Sequence, residues 1–187
     1  MQFDPNLTLE GYGVTLRRLS HDRIEMVRNW RNDPKISQYM LTHDYITPEM
    51  QENWFRKISN AETCFYFIIE YEDKPIGLIC IRDVDYKKKT GEPGQYIYED
   101  EYLNSDVGMR ASLCFSEFIW DILKLESMYI YVLDDNKRAI DFNLLIGYER
   151  LNENVGENVH KYCLTRERAL NPSSKMQRIM MVLKNTV

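Results

Sequence analysis

The chain has 187 residues, of which 44% are hydrophobic and 28% are charged, and its formal net charge is -5 at pH 7. This length and composition are typical of one globular domain, and no apolar stretch reaches the roughly 20 residues that a membrane-spanning helix needs. The acidic balance also argues against a nucleic-acid partner, because phosphate backbones attract Lys and Arg.

The cysteines and histidines indicate neither disulfides nor a metal site. The four cysteines lie inside apolar runs and form no C-x-x-C pair, which is typical of buried thiols in a reducing compartment. The three histidines are isolated, and no H-E-x-x-H motif occurs. Residues 1–5 contain no basic or apolar segment of the kind that begins a signal peptide. We therefore expect a cytoplasmic protein with no metal, no nucleic-acid partner and no membrane partner.

The first third of the chain predicts one strand and two helices. Alternation over residues 14–19 predicts the strand. Ser20 is placed to cap a helix that ends before Pro34. Thr47 and Pro48 are typical of the N-cap and the first position of the second helix. The expected buried face of that helix comprises Met50, Trp54, Phe55 and Ile58.

The rest of the chain alternates strand and helix signals. The expected strands are 65–71, 76–84, 96–98, 128–133 and a closing antiparallel pair at 148–151 and 160–164, with polar turns at 73–75 and 87–94. Helical spacing covers 109–123, and Asp135 or Asn136 would cap a further helix that stops at Gly147. Helices between mostly antiparallel strands indicate an α+β fold.

The tail carries one more helical pattern. Residues 173–184 place Met176, Ile179, Met180 and Leu183 at helical spacing. Such a helix would dock on its own domain or form a contact in a homodimer. Because no linker or repeat interrupts the chain, we expect a single domain over 1–187, with a core at 13–165 and a tail at 166–187.

A loop of sequence Asn-Ser-Asp-Val-Gly at residues 104–108 precedes the helix at 109–123. The first amides of a helix lack intrahelical partners and carry partial positive charge, so they can bind an anion. Gly108 would allow close approach of that anion to the backbone. The same residue types also begin helices for capping reasons alone, so this loop by itself is a weak signal.

Residues 128–148 resemble the signature of the GNAT superfamily of acetyltransferases. The pattern is a strand followed by V-x-x-x-N-x-x-A-I-x-(F/Y) and then G-(F/Y), and it falls here on Val132, Asn136, Ala139, Ile140, Phe142, Gly147 and Tyr148. The family's coenzyme A loop, (Q/R)-x-x-G-x-(G/A), falls on residues 103–108, where Gly108 is kept and Asp106 replaces a glycine. The resemblance implies a mostly antiparallel mixed sheet of about seven strands, with two strands splayed apart at the acyl-coenzyme A site.

Further motifs resemble one branch of this superfamily, the N-acetyltransferases of nucleotide-linked amino sugars, of the pseudaminic-acid pathway type. These motifs are Trp30-Arg31-Asn32-Asp33-Pro34, Ile46-Thr47-Pro48-Glu49, Gly77 and Glu92-Pro93-Gly94-Gln95-Tyr96. The resemblance covers residues 13–150. RimL-type acetyltransferases share the first motif, so a protein N-terminus or another small amine stays open as the acceptor.

The resemblance implies acetyl-coenzyme A as co-substrate and direct attack of a primary amine on its thioester. The exposed edge of strand 96–98 would pair with pantetheine, an amide near Tyr98 would stabilise the oxyanion, and Asn136 would contact pantetheine or sulfur. The expected cofactor-binding residues are Tyr96, Ile97, Tyr98, Asn104, Ser105, Asp106, Val107, Gly108, Met109, Arg110 and Asn136.

Two residues bear on proton transfer in the resembling family. Phe142 stands where many members have a tyrosine acid, so the thiolate would leave without that donor. A catalytically silent binder of acyl-coenzyme A therefore stays open as well. Glu92 is the candidate base, and its alternative reading is an exposed glutamate at a strand end.

Three residues are expected at the acceptor. Arg31 and Arg82 would bind phosphate, since a guanidinium matches phosphate oxygens in a bidentate fork. The alternative for Arg31 is a surface ion pair with Asp33 or Asp22. Gln51 takes the place of a histidine that the family has near the nucleotide.

Overall fold

A computed structural model describes residues 4–185 of the chain. Met1, Gln2 and Phe3, the start of the segment considered for a signal peptide, lie outside the described residues. The strands are β1 Thr8–Gly11, β2 Val14–Arg18, β3 Phe65–Tyr71, β4 Lys74–Asp85, β5 Thr90–Ile97, β6 Ser127–Leu133, β7 Glu149–Arg150 and β8 Val159–Thr165. The α-helices are α1 Ile24–Asn32, α2 Pro34–Ser37, α3 Pro48–Ser59, α4 Val107–Glu117, α5 Lys137–Ile146, α6 Arg166–Leu170 and α7 Ser174–Asn185.

All eight strands join one mixed sheet in the order β1-β2-β3-β4-β5-β6-β8-β7. Neighbouring strands are antiparallel except β5 and β6, which run parallel and pair only at Thr90 with Ser127 and Gly91 with Met128. Beyond these two pairs the strands diverge and leave a gap in the sheet. The α+β fold with splayed strands is thus confirmed, with eight strands where about seven were expected. The additional edge strand, β1, is a short hairpin partner of β2 that the sequence analysis missed.

Local capping explains most helix boundaries. The Thr47 side chain accepts a hydrogen bond from the Met50 amide at 3.2 Å, which confirms it as the N-cap of α3. The expectation for Ser20 is wrong, because its hydroxyl donates to Asp22 at 2.5 Å and a 3₁₀ turn at 21–23 precedes α1. The predicted buried face of α3 is wrong at one position: Met50 is 49% exposed, whereas its neighbour Gln51 is buried.

Two predicted turns lie elsewhere along the chain. The turn between β3 and β4 is formed by Glu72 and Asp73, which both adopt positive φ angles, so residues 74 and 75 belong to β4. The glycines of the predicted 87–94 turn lie inside β5. A Cβ on Gly91 would come within 2.7 Å of Ile81 Cδ1. Glycine is therefore required there by close packing, not by chain reversal.

The sheet separates two hydrophobic cores. Helices α1 and α3 cover one face, which we call the α1/α3 face, and α4, α5 and α7 cover the other, the α4/α5 face. The terminal helix docks on its own domain, since Met176 and Leu183 are buried in the α4/α5 core. Of the four cysteines, Cys80 and Cys114 are buried, and all four are free thiols. Within residues 4–185 no helix is both long and apolar enough to cross a membrane.

Candidate active site

The gap between β5 and β6 exposes backbone amides of β5. The Tyr98 amide donates to the Ile76 carbonyl at 2.7 Å, so it is already used by the sheet. Successive amides of a strand point to opposite sides. The amides of Gln95 and Ile97 therefore face the gap, on the side where β6 no longer pairs. Within the expected edge at 96–98, the amide that could meet a thioester is therefore that of Ile97, next to Tyr98.

The first turn of α4 offers two further amides. Val107 N–H donates to Ser105 Oγ at 3.2 Å and Arg110 N–H donates to the Asp106 carbonyl at 3.0 Å. The amides of Gly108 and Met109 lie between them and have no acceptor within the described part of the chain. The amide of Asp106 likewise has no acceptor among residues 4–185, so of the anion-binding amides expected over 106–110 those of Val107 and Arg110 are already used and the other three remain available.

The carboxylate of Asp106 is neutralised by a buried arginine. Arg110 Nη2 donates to Asp106 Oδ2 at 2.9 Å, and Nη1 of the same guanidinium donates to the Tyr12 carbonyl at 2.9 Å. The expectation that Arg110 binds the cofactor through its amide is wrong, because that amide is used within the helix. The side chain instead connects α4 to the β1–β2 hairpin and pairs with the acidic charge at the start of the helix. Asn104 is exposed at the start of the loop.

Gly108 also contacts β5, the strand whose amides face the gap. Gln95 Nε2 donates to the Gly108 carbonyl at 3.0 Å, and a Cβ at position 108 would lie 3.1 Å from the same nitrogen. Gln95 Oε1 in turn accepts from Ser112 Oγ at 2.9 Å. This network fixes the distance between α4 and β5 on the α4/α5 face.

A cavity of about 300 Å³ lies on the α4/α5 face beside the gap. Phe142 and Asn143 of α5 both line it, and so does Gln95. The sequence analysis missed Asn143, although it follows Asn136 by seven residues and thus lies two turns further along the same helix face. Asn136 caps α5, since its side chain accepts from the Ala139 amide at 3.1 Å.

On the α1/α3 face, buried polar groups without partners mark a second site. Arg31 Nη1 and the Tyr96 hydroxyl are both buried and have no hydrogen-bond partner among residues 4–185. Burial lowers the pKa of the Arg31 guanidinium, and the nearby positive charge of Arg82 lowers it further. Burial likewise raises the pKa of Tyr96. An anion would accept a hydrogen bond from the Arg31 guanidinium. It would also offset the two effects that disfavour its positive charge, burial and the charge of Arg82.

The alternative partners proposed for Arg31 are engaged elsewhere. Asp33 accepts from the Lys35 amide at 3.0 Å and from the Tyr98 hydroxyl at 3.1 Å. Asp22 accepts from Ser20. The ion-pair reading of Arg31 is therefore wrong for the described residues.

Glu92 lies within β5 and is paired with an arginine. Arg82 Nε donates to Glu92 Oε1 at 3.1 Å, and Arg82 Nη2 contacts the same oxygen. The Glu92 side chain is only 18% exposed, so the reading as a solvent-exposed strand end is wrong. Because alternate side chains of β5 share a face, Glu92 lies on the same face as Tyr96. We call Arg31, Arg82 and Tyr96 the arginine cluster.

Gln51 was expected near the nucleotide of the acceptor, but its side chain is buried between two helices. Its side chain is 3% exposed, and Nε2 donates to the Ile24 carbonyl at 2.9 Å. The amide thus ties α3 to α1 and leaves almost no surface for an acceptor molecule.

The two sites together suit the transfer of a chemical group from a donor on one face of the sheet to an acceptor on the other. Free helix amides and an apolar cavity lie on one face, a cationic cluster lies on the other, and the gap between β5 and β6 connects them. A donor bound on the α4/α5 face could present a reactive carbon through the gap, where the Ile97 amide faces it. An acceptor held by the arginine cluster would meet that carbon from the opposite side.

Comparison with known proteins fits this geometry. Residues 14–148 match the acetyltransferase (GNAT) domain family. Acetyltransferase PseH of Campylobacter jejuni is 29% identical over 122 residues, which cover 65% of this chain and 74% of that protein. A Vibrio cholerae spermidine N-acetyltransferase in complex with CoA and spermine superimposes with a TM-score of 0.79 at 20% identity, over 85% of this chain and 99% of that one. Apo FdhC, a nucleotide-linked sugar GNAT, superimposes with a TM-score of 0.75 at 22% identity, over 96% and 98%.

Proposed function

The chain belongs to the GNAT family of acetyltransferases, and we propose that it transfers an acetyl group from acetyl-coenzyme A to a primary amine on a nucleotide-linked sugar. The observation that carries the choice of acceptor is the arginine cluster. Arg31 Nη1 is buried and has no partner within the part of the chain that the structure describes, and a second guanidinium, that of Arg82, lies close to it. A phosphate would supply the oxygen that Arg31 Nη1 lacks, beside the Arg82 guanidinium that Glu92 already pairs.

The charge of the acceptor distinguishes a nucleotide-linked sugar from the two alternatives, spermidine and a protein N-terminus. Spermidine is a polycation, and the Arg31 guanidinium, which forms an ion pair with no carboxylate among residues 4–185, would repel it, whereas Glu92 offsets the charge of Arg82. A protein N-terminus brings no phosphate and would leave Arg31 Nη1 unpartnered. The similarity to a spermidine N-acetyltransferase and to a nucleotide-linked sugar GNAT does not decide between these substrates, whereas the cationic cluster favours the sugar nucleotide.

The donor fits the α4/α5 face. The amides of Gly108 and Met109 would hold a pyrophosphate at the N-terminus of α4, where the helix dipole adds positive charge. Arg110 supports this site because it neutralises Asp106. The pantetheine arm would follow β5 into the gap, where the backbone of Gln95 and Ile97 offers unpaired hydrogen-bonding groups.

The reaction itself is an acyl exchange. The amine nitrogen forms a bond to the thioester carbon, the carbon–sulfur bond breaks, and the proton lost by nitrogen balances the thiol that is released. The gap-facing Ile97 amide is placed to stabilise the oxyanion. Glu92 is the carboxylate of β5 on the acceptor face, and we assign it proton removal, directly or through water.

The leaving group receives no proton from Phe142, which has none to give. A thiol pKa of about 8–9 allows the thiolate to leave without full protonation, so the step can proceed more slowly without an acid. Asn143 lines the same cavity, and its Nδ2 carries a second hydrogen, beside the one donated to the Ala139 carbonyl, that can bond to sulfur in place of a hydroxyl. These features argue for a working enzyme and against a silent binder.

A panel of acceptors tests the proposal. Thiol release from acetyl-coenzyme A is followed with a nucleotide-linked amino sugar, the same amino sugar without its nucleotide, spermidine, and a short peptide with a free N-terminus. We expect the nucleotide-linked sugar to exceed the free sugar by at least about tenfold in kcat/KM, the value of one charge-assisted contact. Equal or better turnover of spermidine would refute the assignment of the acceptor, and no thiol release with any amine would favour the silent binder.

A further inference from the structure

The cavity on the α4/α5 face differs chemically from the arginine cluster. Its floor includes Pro93 and Met128 from the two sides of the gap, and its roof includes Met176 and Met180 of α7. None of the buried side-chain polar atoms without a partner, among residues 4–185, belongs to its lining. A ligand of this cavity would therefore find few unmet hydrogen bonds and would be held by apolar contact.

The lining includes three exposed charged side chains, Glu117, Asp121 and Lys184, of which Glu117 accepts from the Tyr12 hydroxyl at 3.1 Å and Asp121 pairs with Arg166 at 3.4 Å. Three of its uncharged polar side chains are hydrogen-bonded within the protein. Ser112 Oγ donates to Gln95, Ser116 Oγ donates to the Leu113 carbonyl at 2.8 Å, and Asn143 Nδ2 donates to the Ala139 carbonyl at 2.7 Å. A polar ligand would have to compete for these groups, whereas an apolar chain leaves them intact.

The cavity meets the reaction centre at one end. Pro93, Gly94 and Gln95 line it, and the Gln95 amide faces the gap into which a thioester carbonyl would project. A group attached to that carbonyl can therefore extend into the cavity from the gap. An acetyl group would fill little of it, because an apolar cavity of about 150 Å³ already holds a benzene molecule and this one has about 300 Å³.

We propose that this cavity receives the acyl chain of the donor thioester, and that the protein prefers acyl groups of about four to eight carbons to acetyl. This rests on the proposed function: it keeps the coenzyme A thioester and the amine acceptor, and it replaces acetyl by a longer chain as the preferred acyl group. The bonds formed and broken are those of acetyl transfer, with a longer acyl group passed to the amine and the thiol released as before. Methionine side chains in the roof suit chains of variable length, because they are unbranched and flexible.

The roof is a feature of the tail of this chain. The match to the GNAT family ends at residue 148, whereas Met176 and Met180 belong to α7. Met180 lines the cavity, and its neighbour Met181 is 61% exposed on the outer side of the same helix. The pair offers a matched comparison, since the same substitution can be made inside and outside the cavity.

The test is isothermal titration of the full chain with coenzyme A, acetyl-, butyryl-, hexanoyl- and octanoyl-coenzyme A. Each methylene buried in the cavity should tighten binding about fourfold. Hexanoyl-coenzyme A should therefore bind at least about tenfold more tightly than acetyl-coenzyme A. Met180→Trp should remove that gain and change acetyl-coenzyme A affinity by less than about twofold, and Met181→Trp should bind every thioester as the wild type does.

Three results would contradict the proposal. Equal affinity for acetyl- and hexanoyl-coenzyme A would show that the cavity holds no acyl chain and is filled by the pantetheine arm or left empty. Equal effects of Met180→Trp and Met181→Trp would show that the roof is not involved. Failure of every thioester to bind would overturn the proposed function as well. If Met180→Trp does not fold, Met180→Ala enlarges the cavity and should move the preferred chain length upward by about one or two carbons.

Discussion

Replacing Arg31 by alanine would test the arginine cluster directly. Nη1 of this residue is buried and has no partner among residues 4–185, so its hydrogen bond is available to a ligand. A hydrogen bond to a charged group contributes about 1.5–3 kcal/mol, which equals roughly a 10- to 150-fold change in an equilibrium constant. We expect Arg31→Ala to raise the KM for a nucleotide-linked amino sugar by that factor. The KM for the thioester should stay within about twofold, because the donor binds on the opposite face of the sheet.

The assay is the initial rate of thiol release at varied acceptor concentration and at two ionic strengths. Salt should weaken acceptor binding in the wild type more than in the variant, because screening acts on an ion pair that the variant lacks. The melting temperature is measured alongside. A buried charge without a partner is unfavourable, so removing it should leave the melting temperature unchanged or raise it.

A structural role for Arg31 would give the opposite pattern. The variant would then lose stability while both KM values stayed the same, and the sugar-nucleotide acceptor would lose its main support. Arg56→Ala is the matched control, since this arginine is on α3 and its side chain is 69% exposed. It should change neither KM nor the melting temperature appreciably.

Four further substitutions address the donor side. Binding of acetyl-coenzyme A should raise the melting temperature of the wild type, and Gly108→Val should abolish that rise. A Cβ at position 108 would lie 3.1 Å from the Gln95 side chain and would crowd the free amides. An unchanged rise would exclude this helix end as the pyrophosphate site. Arg110→Met should weaken thioester affinity about tenfold by freeing the Asp106 charge, and Asp106→Asn in the same background should restore it. Phe142→Tyr should keep or raise the rate of thiol release, and a loss of several hundredfold in a folded variant would show that the aromatic pocket has another role.

The sequence by itself determined the local features of this protein. Thr47, Asn136 and Gly147 mark helix ends through bonds or dihedral angles that involve only neighbouring residues, and all three lie at the predicted boundaries. The strand at 65–71 and the signature around Asn136 are likewise continuous stretches of chain. Such signals survive in any tertiary context, because the groups that create them are held together covalently. They were sufficient for the family, the α+β fold and the expectation of a donor loop.

Only the tertiary structure decided which groups remain available for chemistry. Whether the Tyr98 or the Ile97 amide faces the gap depends on how β5 pairs with β4, 20 residues away along the chain at Ile97 and Gly77. Gln51 is buried because α3 is turned toward α1, and the negative charge of Asp106 is paired because Arg110 lies against it. The cavity exists because a helix at the end of the chain covers a groove formed by earlier elements. Each of these outcomes depends on contacts between distant segments, and periodicity or capping in one segment carries no information about the partner that another segment will supply.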